Sequence, residues 1–511
     1  MFSSARQKIT GMIRIIIVAI AIVAQLLLLA LIVMKLKESS FYIYTLLELF
    51  GIVIIIAIVA RNRNDSYTIT WLIIIILLPV FGYLLYFLWG KPNLEGWRVS
   101  KIRKALSAGE KYLSQDQNVS ANIQTLHPYR RRLADFLWGE GFPLYGNTQC
   151  KYYPLGELQF EQMIEDMEKA QRFIFLEYFI LSEGQLWDRI HDVLKSKAEQ
   201  GVEVRLMYDD MGSLITAPNV FDQFLKDENI KVVRFNPIHR HIFRLFINYR
   251  NHQKITVIDG NIGYTGGCNL ADEYANLYQR FGHWKDTGIR LEGDAVWGLT
   301  VTFLQMWESE AETRDDYNDY KPTQPTAGAG FFQPFTDSPI NNPDNPAETM
   351  YSQIISNARE YVYITTPYLV IDYSMREALC IAARSGIDVR IITPKIGDHW
   401  YVHQVTNSNY GPLLRAGVRI YEYSPGYIHA KSIISDDDHG IIGSINMDYR
   451  SFNLHFENAV WICGAPVLED IKRDITDTFM ISEEINLDDW QGRPWHLKAT
   501  QTFLRLFAPL L

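Results

Sequence analysis

The chain has 511 residues, a formal net charge of −9 and 21% charged residues. That length exceeds one ordinary domain of about 100–200 residues, and that charge excludes a nucleic-acid binder working through a bulk positive field. The four cysteines, Cys150, Cys268, Cys380 and Cys463, form no CxxC pair, so neither a disulfide framework nor a cysteine-ligated zinc site is signalled.

Residues 15–34 are apolar except for Gln25, long enough to cross about 30 Å of hydrocarbon at about 1.5 Å per residue. A second apolar run covers 41–60 with Glu48 inside it, and a third covers 68–89 with Pro79 and Gly82. Two to three transmembrane helices are therefore expected over 1–90. The first run is too long for a signal peptide and no A-x-A-like cleavage site follows it. Lys91, Arg98, Lys101, Arg103 and Lys104 follow the third run as the largest basic cluster, which predicts a multi-pass cell-membrane protein with the rest of its chain at the cytoplasmic face. Residues 91–145 read as a basic juxtamembrane connector.

Past residue 145, strands and helices alternate in an α/β pattern, and the pattern repeats. "FIFLEYFIL" at 173 matches "YVYITTPYL" at 361, "EQGVEVRLM" at 199 matches "RSGIDVRII" at 384, and "NIKVVRF" at 229 matches "GVRIYEY" at 417. Two homologous lobes follow, 146–312 and 347–511, each with its own core. The Pro- and Gly-rich stretch 313–346 between them is expected to be a linker without regular structure.

Each lobe carries H-x-K-x4-D-x6-G-[GS]-x-N. The first copy comprises His252, Lys254, Asp259, Gly266, Gly267 and Asn269, and the second His429, Lys431, Asp436, Gly443, Ser444 and Asn446. Residues two apart on a strand share a face, so each His projects with its Lys. A turn and a returning strand then bring Asn269 or Asn446 inward, with Gly267 and Ser444 beside them as backbone that approaches a ligand. One lobe supplies half a site. Two halves facing across a pseudo-twofold axis assemble two imidazoles, two ammonium groups and two amide donors, a constellation suited to a phosphodiester. One His forms a phosphohistidine while the other serves as acid and base, and the lysines offset charge as a divalent metal does elsewhere. Within the catalytic motif, Asp259 and Asp436 sit where strand meets turn and are expected to bond backbone amides or the neighbouring lysine. Asp286 and Glu457, each on the next strand of its own lobe, are expected to orient the histidines. A zinc reading through His239, His241 and His252 lacks a carboxylate or cysteine at metal spacing, so neither metal nor cofactor is expected.

The paired motif resembles the HKD signature of the phospholipase D superfamily. Within it the chain is similar to the bacterial cardiolipin synthases, through "LLPVFGYLLYFLWGKP", "YRNHQKITVIDGNIGYTGGCNL", "AGVRIYEY", "GSINMDYRSF" and the tail "WHLKATQTFLRLFAPLL". The resemblance implies transmembrane helices followed by two phospholipase D-like α/β sandwich lobes sharing one active site. It implies metal-independent transfer of a phosphatidyl group between two phosphatidylglycerol molecules, with His252 as nucleophile, although the motif copies alone do not distinguish the two histidines. Gly267 stands where the second copy has Ser444, which makes the halves unequal. The membrane and an anionic phospholipid are the expected partners, nucleic acid is not, and self-association stays open. The insertion 239–250 is expected to present Arg240, Arg244 and Arg250 to head groups with Phe243 and Phe246 in the interface, or else to form a buried flap. The tail, with Trp495, Leu497, Phe503, Leu504, Phe507 and Leu511, is expected to be an interfacial helix. The rival readings are a phospholipase D using water, exchange with serine or ethanolamine, a nuclease, and a scaffold with a decayed site.

Overall fold

A computed structural model describes residues 40–60, 65–78, 81–90, 96–214, 216–217, 221–237, 248–311, 313–340 and 344–510. Two α/β lobes repeat one topology. In the first sheet the strands run Thr148–Tyr153, Gly288–Gly293, Ile262–Gly266, Ile255–Ile258, Phe173–Tyr178, Glu203–Asp209 and Lys231–Phe235. The second sheet repeats that order with Phe331–Asp337, His455–Cys463, His439–Gly443, Ser432–Ser435, Tyr361–Thr365, Asp388–Pro394 and Arg419–Tyr423, then adds Ser482–Ile485 at its edge. Parallel strands at the centre are buried on both faces, which is why "FIFLEY" is apolar almost throughout. The crossover helices show the opposite pattern: Gln185–Glu199 buries Leu186, Ile190, Leu194 and Ala198 at a spacing of four and leaves the other face polar.

Each lobe has a core of its own, but a third apolar cluster is continuous between them. Phe175, Met207 and Ile255 of the first sheet share it with Ile434, Ile442 and Val460 of the second. Each large apolar side chain buried this way contributes about 1.5–3 kcal/mol, so the lobes are held as one body rather than tethered.

Two expectations about the segments around the lobes are corrected. The 313–346 stretch is not free of regular structure: Phe331–Asp337 is an edge strand of the second sheet, paired antiparallel with His455–Cys463. Pro334 is tolerated there because an edge strand has only one partner to satisfy. Residues 97–139 are three helices, Trp97–Glu110, Gln117–Leu126 and Arg131–Gly139, and not a mere connector. Val99 and Ile102 enter the shared core, while Ile123, Leu133 and Leu137 enter that of the second lobe.

The first expected membrane span, 15–34, lies outside the described residues. The second coincides with helix Ser40–Val59. The third is broken into Asp65–Leu77, Phe81–Leu85 and the π-helical turn Tyr86–Gly90. Among the described residues no helix is long and apolar enough to cross a membrane. This N-terminal hairpin has its own small core, which includes Tyr449 of the second lobe, stacked on Tyr67 at 6.0 Å. The C-terminal helix Trp495–Arg505 buries only Gln501 and exposes Trp495 and Phe503. Thr70 Oγ1 donates to Leu506 O at 2.9 Å, joining the hairpin to the tail.

Candidate active site

The local fold around each motif is a tight hairpin. Asp259 and Gly260 both have positive φ, as do Asp436 and Asp437, within the three-residue turns that join Ile258 to Ile262 and Ser435 to His439. The Asp259 carboxylate accepts the backbone N–H groups of Gln171, Arg172 and Phe173 at 2.7–2.9 Å. Asp436 does the same for Arg359, Glu360 and Tyr361, and also accepts from Arg130 Nη2 at 2.8 Å. Those bonds hold its carboxyl below the usual range against the opposing pull of burial, the largest influence on it. Neither aspartate lines the catalytic cavity; both clamp the hairpin that carries the His and Lys.

The strands leading into the two histidines cross to the opposite lobe. Arg250–Asn251 pairs in parallel with His455 and Phe456, and His252 N donates to Phe456 O at 2.8 Å. Gly426–Ile428 pairs in parallel with His283–Lys285, and His429 N donates to Lys285 O at 2.7 Å. The acid that follows each partner segment therefore arrives beside the other lobe's histidine. His252 Nδ1 meets Glu457 Oε1 at 2.9 Å and Oε2 at 3.0 Å. His429 Nδ1 meets Asp286 Oδ2 at 2.6 Å. The sequence reading put each acid on a strand of its own lobe and left the pairing within that lobe; the structure exchanges them.

Fully buried carboxylates on both Nδ1 atoms fix the tautomer that leaves Nε2 free. Asp286 takes the single Nδ1 hydrogen of His429, so the nearby Lys431 ammonium turns to the His429 carbonyl. Lys254 Nζ likewise donates to His252 O at 2.5 Å. Burial is the main influence on all four groups. It pushes His252 well below the ordinary imidazole value, with the two lysines and His429 adding to the effect, and pushes His429 down to about 4. It lowers Lys254 to about 7 and Lys431 to about 8.

His252, His429, Asn269 and Asn446 line one cavity of about 240 Å³. Asn269 is held by Ile180 N at 3.1 Å and Tyr274 Oη at 2.8 Å, whereas the Asn446 Oδ1 is buried without a partner. Lys254 and Lys431 sit behind the histidines and not in the cavity wall. Gly267 and Ser444 were expected to meet substrate, but both serve the acids. Ser444 Oγ donates to Glu457 Oε2. At Gly267 a Cβ would lie 2.0 Å from Asp286 Oδ1, so the shorter acid occupies the space that a serine would need. This explains the one departure between the motif copies.

Arg250 does not reach toward head groups: it is buried, with its Nε at 3.0 and 2.9 Å from the two Asp209 oxygens. Arg240, Phe243, Arg244, Phe246, His239 and His241 lie outside the described residues. Three functional candidates escaped the sequence reading: His455, Asp448 and Arg450, all in the cavity wall. Strand alternation could have flagged His455, two before Glu457 on the same face. Its ring lies 5.4 Å from that of His252, its Nδ1 is 3.6 Å from Glu457 Oε1, and neither ring nitrogen makes a close hydrogen bond among the described residues. His252, His455 and Glu457 bring ligand atoms within 4.8 Å of one another and could hold a metal ion; the carboxylate in that trio is already engaged by His252 and Ser444.

Two interlocked α/β lobes that face one histidine each across one cavity, with a lysine behind each, define the phospholipase D-like class. The family described as cardiolipin synthase, PLD-like domain, matches residues 163–279 and 351–478, and a phospholipase D-nuclease N-terminal family matches 50–91. A cardiolipin synthase 2 of Bacillus anthracis is 34% identical over 88% of this chain and 88% of its own length. An uncharacterized protein of Streptococcus mutans serotype c is 40% identical over 89% of this chain and 99% of its own. The crystal structure of a phosphatidylserine synthase from Haemophilus influenzae superposes with a TM-score of 0.56 at 14% identity, covering 71% of this chain and 93% of that one, which reports shared fold alone. The chain belongs to the cardiolipin synthase family of phospholipase D-like proteins.

Proposed function

We infer that the chain is a cardiolipin synthase that joins two phosphatidylglycerol molecules through a covalent phosphohistidine. The observation that carries this reading is the exchange of acids between lobes, which orients two imidazoles into one cavity with a lysine behind each. His252 is assigned as nucleophile: burial and neighbouring cations keep its ring unprotonated, and Glu457 braces it with both oxygens. Its Nε2 attacks phosphorus, a P–N bond forms, and the P–O bond to glycerol breaks as His429, which takes up a proton from solvent when the anionic diester enters the cavity, gives that proton to the leaving oxygen. Asp286 steadies the imidazolium form of His429. The hydroxyl of a second phosphatidylglycerol then loses its proton to His429 and attacks phosphorus, and the P–N bond breaks. Lys254 and Lys431 offset charge on the non-bridging oxygens, with Asn269 and Asn446 as amide donors.

The N-terminal hairpin is the membrane attachment in this reading. Leu49, Phe50, Ile52, Val53 and Ile56 are exposed on helix Ser40–Val59, and Ile76, Leu77 and Phe87 on the segments after it. Embedding them keeps acyl chains out of water at about 0.8 kcal/mol per CH2. A multi-pass topology with cytoplasmic lobes rests on the basic residues from Lys91 to Lys104.

The test is to incubate the detergent-solubilised protein with phosphatidylglycerol as sole lipid and resolve the products by mass. Cardiolipin with free glycerol is expected. Phosphatidic acid without a dimeric lipid would mean that water is the acceptor and would replace this reading with a hydrolase.

A further inference from the structure

Joining two phospholipids brings two phosphates to one cavity. The first reacts between the histidines. The second belongs to the accepting lipid, survives the reaction and lies only a glycerol bridge away from the first. Its charge needs a cation that the two motifs do not supply.

Arg450 lines the cavity and its Nε is buried without a hydrogen-bond partner. Among the described residues no carboxylate closes an ion pair with it. The carboxyls in the same wall are occupied: Asp448 accepts Ser451 N–H at 2.7 Å as the cap of the turn Tyr449–Asn453, and Asp398 accepts from Tyr368 Oη at 2.6 Å. Asp448 offsets part of the charge of Arg450 from two residues away but makes no ion pair with it, and the planar fork of a guanidinium without a paired carboxylate suits phosphate oxygens.

The location agrees with a lipid. Tyr449, the residue before Arg450, stacks on Tyr67 of the hairpin. A groove of about 350 Å³ starts there and shares Val370, Tyr449 and Ala508 with the catalytic cavity. Its walls include Ile69 and Ile73 of the hairpin and Leu506 of the tail, with Arg376 and Arg505 alongside. The groove thus adjoins the cavity that Arg450 lines and takes part of its wall from the apolar hairpin.

We propose that Arg450 binds the phosphate of the accepting phospholipid, whose diacyl end leaves along the groove between helix Asp65–Leu77, the second lobe and the C-terminal turn. This rests on the reading that the acceptor is a lipid. Arg450 is then the residue that favours a second lipid over a neutral alcohol.

The experiment compares two reactions of the full-length enzyme on phosphatidylglycerol: cardiolipin formation and exchange of the head group for labelled free glycerol. Both use the same donor and the same histidines, and only the first has an acceptor phosphate. In Arg450→Gln, cardiolipin formation should fall about tenfold to a hundredfold more than exchange, with part of the loss restored in Arg450→Lys. A second comparison needs no variant: the unmodified enzyme should use deacylated glycerophosphoglycerol as acceptor at least about tenfold better than glycerol. Equal losses of both reactions in the two variants, or equal use of the two soluble acceptors, would overturn the assignment of Arg450. An unmodified enzyme that exchanges glycerol but makes no cardiolipin would instead overturn the lipid-acceptor reading beneath it.

Discussion

Around His252 stand the long acid Glu457, Ser444 bracing that acid, the Phe179 ring at 5.0 Å and the His455 ring at 5.4 Å. Around His429 stand the short acid Asp286, a glycine in place of the serine, and the rings of Tyr274, Trp284 and Tyr427 at 5.3, 5.7 and 6.0 Å. The backbones of the two halves superimpose in topology, down to the positive-φ turn and the aspartate clamp. Duplication preserves what the fold needs, and the surroundings of the reacting atoms are where the copies part. A long, serine-braced acid with one aromatic ring and a second imidazole on one side, and a short acid with three aromatic rings on the other, suit two different tasks for one residue type.

The sharpest way to break that comparison is to remove each histidine in turn. His252→Ala and His429→Ala should each reduce cardiolipin formation by about 10³-fold or more, measured by product mass. If the tasks differ as assigned, His429→Ala accumulates protein heavier by one phosphatidyl group and His252→Ala does not. Accumulation in His252→Ala alone would exchange the roles. Next come the acids: Glu457→Gln and Asp286→Asn should each lower kcat by about 10²–10⁴ with little change in KM, because each leaves its histidine in an unfixed tautomer. Unchanged kcat in either would show that the carboxylate only supports the fold.

The serine and glycine give a smaller and more pointed contrast. Ser444→Gly removes one hydrogen bond to Glu457 and should cost about tenfold in kcat. Gly267→Ser forces a Cβ into Asp286 and should cost about a hundredfold despite copying the other lobe. Equal effects would argue against the crowding seen at Gly267. The pH profile of kcat/KM tests the free enzyme. Lys254 and Lys431 have values lowered to about 7 and about 8, so both lose their charge as pH rises through that range, and activity should decline there. An acid limb is expected well below the ordinary imidazole range, where His252 charges and can no longer attack phosphorus. A flat profile from pH 6 to 10 would remove the lysines from the charge-offsetting role. The smallest effect belongs to EDTA, which should leave the rate unchanged; loss of activity restored by a divalent ion would point to the His252, His455 and Glu457 trio as a metal site.

Much of the fold was legible because it depends on local pattern. The buried strand "FIFLEY" and its counterpart "YVYIT" announce parallel strands by their apolar runs, and the H-x-K alternation places each pair on one face. Asp286 and Glu457 were found as acids, but their exchange between lobes was not, because it depends on parallel pairing of Arg250–Asn251 with His455–Phe456, a contact between residues about 200 positions apart. The strand Phe331–Asp337 was missed for a different reason: its proline reads as a breaker unless one knows that it lies at an edge. Arg450 and Asp448 carry no periodic signal at all. They matter through the cavity they face, and a cavity is a property of the assembled lobes.

The crossing of the two strands sets an order of events during synthesis. His252 leaves the ribosome about 200 residues before Glu457, its partner. Throughout that interval the first lobe can fold around its own core while its imidazole stands unoriented beside a lysine that has nothing to neutralise. The two halves of the site come together only when the strand His455–Cys463 takes its place between Phe331–Asp337 and His439–Gly443. A fragment that stops before Glu457 carries His252 without the acid that orients it, so one motif copy is a histidine and a lysine with no brace.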